Sequence, residues 1–288
     1  MFILVCVLLL LFPMKASLGA VKGIRMAWEN VIASIIPFLA FMQAMIYTGK
    51  VEKWTRGVKR IFNFLRINEK SAVPFCVSLL AGYPSGGKIV CDMYERGKIT
   101  KREAESFLAY CNNGGVVFAL SVIGGKFFES YITGIVIFLS QIAAALMLGR
   151  VFYTEPSEKK TGNEIKKVPL FGALGKSIAS MGDVIGNILA SFIVFHAIIG
   201  ALELDKTPVL CGLVELTGGI MEAGRCSDAP LAAFFFSFGS LSVMAQVAAF
   251  SSQYELKMKK YFFGKILSGL ISALLTFVFA GIIDKICA

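Results

Sequence analysis

Apolar runs close to the ~20 residues that an α-helix needs to cross a bilayer recur along this chain. The clearest are residues 28–48, 131–148, 184–200, 230–250 and 261–283. Of 288 residues 56% are hydrophobic and 17% charged, with a mean hydropathy of +0.72, which is too apolar for a soluble domain of this length. The chain reads as an all-α polytopic membrane protein whose first partner is the lipid bilayer. Its formal charge of +10 sits mostly in short segments between the runs. That is the placement of cytoplasmic loops, not of a nucleic-acid surface, so no nucleic acid is expected as a partner. Seven Cys are scattered, most of them within apolar runs, and there is a single His, His196. With no CxxC pair, neither a disulfide framework nor a metal site is read from them.

Residues 79–125 depart from an ordinary span. One apolar run is broken by Gly82-Tyr83-Pro84-Ser85-Gly86-Gly87-Lys88, and a second by Asn112-Asn113-Gly114-Gly115. Pro removes a backbone donor and Gly loosens a helix, so both breaks leave backbone groups unpaired. In hydrocarbon such groups persist only where protein buries them or where they line a wet cavity.

Before this stretch, residues 1–14 are apolar but short and lack a basic flank, and are expected to form a first membrane segment over 1–18. The span at 28–48 carries Pro37 and Gln43. Residues 51–67 place Val51, Trp54, Val58, Ile61 and Leu65 on one stripe among Lys and Arg, the pattern of a basic helix lying in the interface plane. Thr100-Lys101-Arg102-Glu103 fits a capping box. Residues 151–176 read as a solvated cytoplasmic linker.

The two halves resemble each other. Residues 93–115 lie over 220–242 without gaps at an offset of 127 (222 − 95), pairing Glu95 with Glu222, Gly97 with Gly224, Thr100 with Ser227 and Phe107 with Phe234. At an offset of 153 (196 − 43), Gln43 overlies His196. The implied organisation is repeat A over 27–150 with a hairpin near 72–93, and repeat B over 177–284 with a hairpin near 208–221. Loops rich in Lys and Arg in the first copy are poor in the second, and positive loops stay cytoplasmic. Lys257, Lys259, Lys260 and Lys265 also read as a cytoplasmic cluster, whereas Lys15, Lys22 and Arg25 would face outward and do not fit. The fold expected is therefore an inverted-topology repeat with two re-entrant helical hairpins and discontinuous transmembrane helices, the architecture of secondary transporters.

The candidate substrate-binding residues are Gly82, Tyr83, Ser85, Gly86, Lys88, Asn112, Asn113, Glu215, Ser240, Ser242 and Gln246. Helix N-termini after the glycine breaks suit a carboxylate or phosphate, and a lysine at membrane depth is a functional candidate by default. Glu215 is a candidate partner for Lys88 or for a coupling cation, sodium or a proton. Asp183 is a weaker candidate for such coupling, and His196 reads first as a packing residue. No cofactor, no catalytic residue and no metal site is expected, since no nucleophile is paired with a base.

GYPSGGK, then GKITKREAESFLAYCNNGG and a VIGG tail, resemble the sporulation integral membrane proteins of the YlbJ type. These belong to the wider Gate or nucleoside-recognition group. The family form is roughly GYP-x-G-(A/G)-K, a G-x-(I/L)-T-x-x-E-A-E-x-(L/F)-L stretch and a (C/S/T)-N-x-(S/G) break, matched at residues 82–88, 97–108 and 111–114. The resemblance implies a transporter in the membrane of an endospore-forming Gram-positive cell, at the outer forespore membrane. It also implies a cargo of the dipicolinate type, with a nucleoside as the alternative solute. A non-transporting scaffold for spore formation is the competing class; an enzyme is not expected, and oligomeric state stays open, a homo-oligomer included.

Overall fold

The computed structural model describes residues 2–49, 51–157 and 168–287; part of the expected linker, residues 158–167, lies outside the described residues. All the regular structure among the described residues is helical. Helix α1 (Phe2–Leu11) runs into α2 (Pro13–Met26), then a π-helical stretch at Ala27–Ile32, then α3 (Ala33–Tyr47). Pro13 withholds a donor and sets the bend at Phe12. The boundary expected near residue 18 is therefore absent, and residues 13–47 form one long helix.

Short helices α4 (Val51–Trp54) and α5 (Arg56–Phe64) follow. Of the expected stripe, Val51 is buried whereas Trp54 and Ile61 are exposed, and off it Phe62 is buried and Phe64 exposed, so apolar side chains face both the protein and its surroundings. The pair α6 (Ala72–Ala81) and α7 (Ser85–Glu95) is joined by a tight turn, and α8 (Lys101–Cys111) is separated by the Asn112–Gly115 break from a second π-helical stretch, Phe118–Phe127. Lys126 Nζ donates to Asn30 Oδ1 at 2.5 Å, bridging the two π-helical stretches. Helix α9 (Tyr131–Val151) ends this half.

The second half holds α10 (Leu170–Ala201), the pair α11 (Pro208–Val214) and α12 (Leu216–Arg225), α13 (Ala229–Phe238), α14 (Ser240–Ser251) and α15 (Lys259–Cys287). Among the described residues five helices are long and apolar enough to cross a membrane: Pro13–Tyr47, Tyr131–Val151, Leu170–Ala201, Ala229–Tyr254 and Lys259–Ala280. Together with the hydropathy, these make the chain an integral membrane protein.

Helices α2 and α10 pack backbone to backbone. A Cβ on Gly19 would lie 2.2 Å from the His196 carbonyl oxygen, and one on Gly200 would lie 2.5 Å from the Lys15 carbonyl oxygen. Small residues permit this approach in lipid, where helix association rests on packing. The same pairing gives two basic residues of α2 acidic partners: Lys15 pairs with Glu203, and Lys22 sits 3.4 Å from Asp205.

The capping box at the start of α8 is present, with Thr100 Oγ1 accepting from the Glu103 amide and Glu103 accepting from the Thr100 amide. Glu103 is 1% exposed and also accepts from Asn68 Nδ2 (3.2 Å) and from the Ser157 amide (3.0 Å) and hydroxyl (2.7 Å). Burial pushes this carboxyl up, but the hydrogen bonds from Thr100 and Ser157 outweigh it and hold the group at about 2. A carboxylate depressed on folding adds stability above its unfolded value near ~4.3, and that contribution is lost as pH falls toward 2. It amounts to on the order of 3 kcal/mol. In detergent, the unfolding midpoint of Glu103→Gln is expected to be lower at neutral pH and to fall less steeply below pH ~4.3 than the parent's. Equal slopes would show that Glu103 is not the titrating group.

Candidate functional site

The α6–α7 turn is built by Gly82 at φ +75°, a backbone that L side chains rarely adopt, followed by Pro84. Ser85 Oγ donates to the Gly82 carbonyl at 2.5 Å and closes the turn. In the α11–α12 pair the turn is Glu215 itself, in extended backbone. Its carboxylate accepts from the amides of Thr217 (3.0 Å) and Gly218 (2.8 Å), capping α12. The break between α13 and α14 is Gly239 at φ +84°, and the Ser240 hydroxyl donates to the Gly212 carbonyl across to α11.

Both turns and the Gly114–Gly115 break face one inner cavity of about 60 Å³, which α14 lines just beyond the second break. Gly82 and Tyr83 line it from the first turn, Glu215 and Thr217 from the second, Gly114 and Gly115 from one break, and Ser242 and Gln246 from α14. Its apolar walls include the rings of Phe118, Phe192 and Phe236. An outer cavity of about 130 Å³ shares Tyr83, Ile188 and Gln246 with it and adds Ser85, Lys88, Asp183 and Asn187. A third cavity continues from Ser85 and Lys88 to Asp92 and Tyr47. The three form a chain of spaces with an acidic inner end and a mixed-charge outer part.

Of the sequence candidates, Gly82, Tyr83, Ser85, Lys88, Glu215, Ser242 and Gln246 line these spaces. Gly86, Asn112, Asn113 and Ser240 lie behind them and hold the frame. Gly86 packs against the Cys111 carbonyl. Asn112 Oδ1 accepts from the Gly87 amide at 3.2 Å, and its Nδ2 donates to the Tyr261 hydroxyl at 3.1 Å. Asn113 Nδ2 donates to Ser78 Oγ and to the Tyr110 carbonyl. Gln141 on α9 clamps the break, accepting from the Gly114 amide at 2.9 Å and donating to its carbonyl at 3.0 Å.

Two charged groups differ from expectation. Glu215 faces not Lys88 but His196, whose Nε2 is 3.8 Å from Glu215 Oε2; both side chains are 2% exposed. Because Glu215 occupies the first amides of α12, that helix end is already served by a carboxylate. Lys265 does not belong to a surface cluster. It is fully buried, and its Nζ donates to the Tyr83 hydroxyl at 2.8 Å and to the Asn112 carbonyl at 2.9 Å. It also sits 5.0 Å from the Tyr83 ring centre. The signal that could have found it is its position inside an apolar run, where a lysine is costly. The aromatic walls and Gln141 carry no local motif, so sequence alone does not gather them.

No protein-family model matches the chain, and no solved structure matches it. The chain is 23% identical, over 90% of its own length and 76% of the relative's, to a sporulation integral membrane protein of Bacillus subtilis (strain 168), YlbJ. The similarity spans both halves of the helical frame and agrees with the resemblance carried by GYPSGGK and the Asn112 break. By sequence, this integral membrane protein is similar to the YlbJ-type sporulation membrane proteins.

Proposed function

We propose that the chain is a secondary transporter for a small polar aromatic solute, working at the inner cavity between its two halves. The observation that carries this is the convergence of two helix turns and the Gly114–Gly115 break on one cavity lined by residues of both halves. Non-helical backbone at membrane depth is tolerated where it lines a cavity, and solute sites lie between transporter halves near the midplane. In this reading the halves are inverted repeats, and the α6–α7 and α11–α12 pairs are re-entrant hairpins from opposite faces. Alternating access comes from movement of one half against the other.

The relative's name supports a place in sporulation; the outer forespore membrane is part of this reading through the motif resemblance alone. Lys88 in the outer cavity supports a dicarboxylate of the dipicolinate type. A nucleoside-type solute is the second reading. It is favoured by Glu215, an acceptor for hydroxyl and amine protons, set among stacked phenylalanine walls. Uptake of labelled dipicolinate and of labelled nucleosides into proteoliposomes tests both. Saturable uptake of one of them is expected, reduced about tenfold or more by Lys88→Ala or Glu215→Ala. Uptake of neither, with spore formation insensitive to these substitutions, would instead make the protein a scaffold.

A further inference from the structure

Among the described residues Lys265 is the best-buried cation, and its surroundings are unusual for one. Among the described residues no carboxylate pairs with it; its partners are the Tyr83 hydroxyl and the Asn112 carbonyl. Asn112 is the C-cap of α8. The Tyr83 hydroxyl in turn donates to the carbonyls of Phe236 (3.0 Å) and Ser237 (3.1 Å), in the last turn of α13. The C-terminal ends of both broken helices thus meet at one ammonium, directly and through one phenol. A helix C-terminus carries a partial negative charge of about half an elementary unit, so two of them together call for a cation. In transporters with discontinuous helices that cation is commonly a sodium ion held by unwound carbonyls and helix C-terminal ends.

We propose that the Lys265 ammonium is a tethered cation standing where a coupling sodium ion would otherwise bind. It is a positioning residue: it touches the site only through Tyr83, whose ring lines both the inner and outer cavities. It holds the first turn against both breaks without drawing on an ion from solution. The inference deepens the transport reading and rests on it, since it assigns that site an internal cation and makes it independent of sodium.

The test compares unfolding midpoints of the detergent-solubilised full chain in sodium chloride and in choline chloride at equal ionic strength. The parent is expected to show the same midpoint in both. Lys265→Ala and Lys265→Ser remove the ammonium and leave room beside the Asn112 carbonyl and the Tyr83 hydroxyl. Their midpoints are expected to fall by about 5 °C or more in choline and to recover at least half of that in sodium. Lys265→Met, which fills the space, is expected to fall without recovering. Where a variant yields no folded protein in choline, the recovery is read as monodisperse protein extracted in sodium against none in choline. Equal behaviour of the Ala and Ser variants in the two salts would overturn the proposal, as would a parent stabilised by sodium as strongly as the variants. The measurement contains no solute, so its failure and a failure of the uptake assay are separate results.

Discussion

Glu215→Gln is expected to cut solute uptake by about ten- to a hundredfold while leaving a folded protein. The carboxylate lines the inner cavity at the second turn and is 2% exposed. It has two amide donors at 3.0 and 2.8 Å and the His196 ring at 3.8 Å. Glutamine keeps the shape and one acceptor oxygen, but turns an NH2 group toward one of those amides and removes the charge. A hydrogen bond to a charged group contributes roughly 1.5–3 kcal/mol, and each ~1.4 kcal/mol is a factor of ten. Losing the cap alone costs about 1 kcal/mol of stability, a fall of a few degrees in the unfolding midpoint. Initial rates in proteoliposomes, normalised to folded protein, separate the two effects. A parental rate with a lowered midpoint would leave Glu215 as a helix cap and nothing more.

Gly86→Ala is expected to give the largest loss of stability among conservative substitutions in the first half. Its new Cβ would lie 1.9 Å from the Cys111 carbonyl oxygen and 2.7 Å from the Ser78 Cβ, where α7 presses on α8 and α6. Overpacking typically costs 1–3 kcal/mol, and a clash with backbone cannot be relieved by a rotamer change. We expect ~3 kcal/mol or more, read as a much lower midpoint or as loss of monodisperse protein. Gly175→Ala is the control: it lies in α10 with nothing within 4 Å of the added Cβ. There the helix propensity of alanine should raise the midpoint slightly, by up to ~1 kcal/mol. Equal effects at the two positions would mean that α7 is free to move away from α8.

What could be read from the sequence follows from how local its physical cause is. The Thr100–Glu103 box closes within four residues and needs no tertiary partner. Gly82, Pro84 and Gly239 break helices through their own backbone chemistry, so the first turn and the second break are legible locally, whereas the second turn is a glutamate in extended backbone with no such mark. By sequence, Lys88 and Glu215 lie in equivalent parts of the two hairpins. In space these residues are not equivalent, because Lys88 lies in the first turn of α7 whereas Glu215 is itself the turn before α12. Pairing of Glu215 with His196 depends on how α10 packs on the α11–α12 pair, and no spacing encodes that. Lys265 looks like one more base after Lys257, Lys259 and Lys260 until α15 is seen to begin at Lys259. Six residues at 1.5 Å each then carry its side chain about 9 Å into the bundle.

The π-helical stretch at Ala27–Ile32 has a consequence for how this chain tolerates changes in length. A widened turn accommodates surplus backbone, and removing one residue there would let an unbroken α-helix run from Pro13 to Tyr47. The lost residue and the lost widening offset each other, so positions upstream would keep roughly their present facing relative to those downstream. Gly19 and Gly23 would stay against α10. A one-residue deletion in the purely α-helical part between Pro13 and Gly23 has no such reserve and would rotate what precedes it by ~100°, so this segment tolerates a change of length at its wide turn and not beside it.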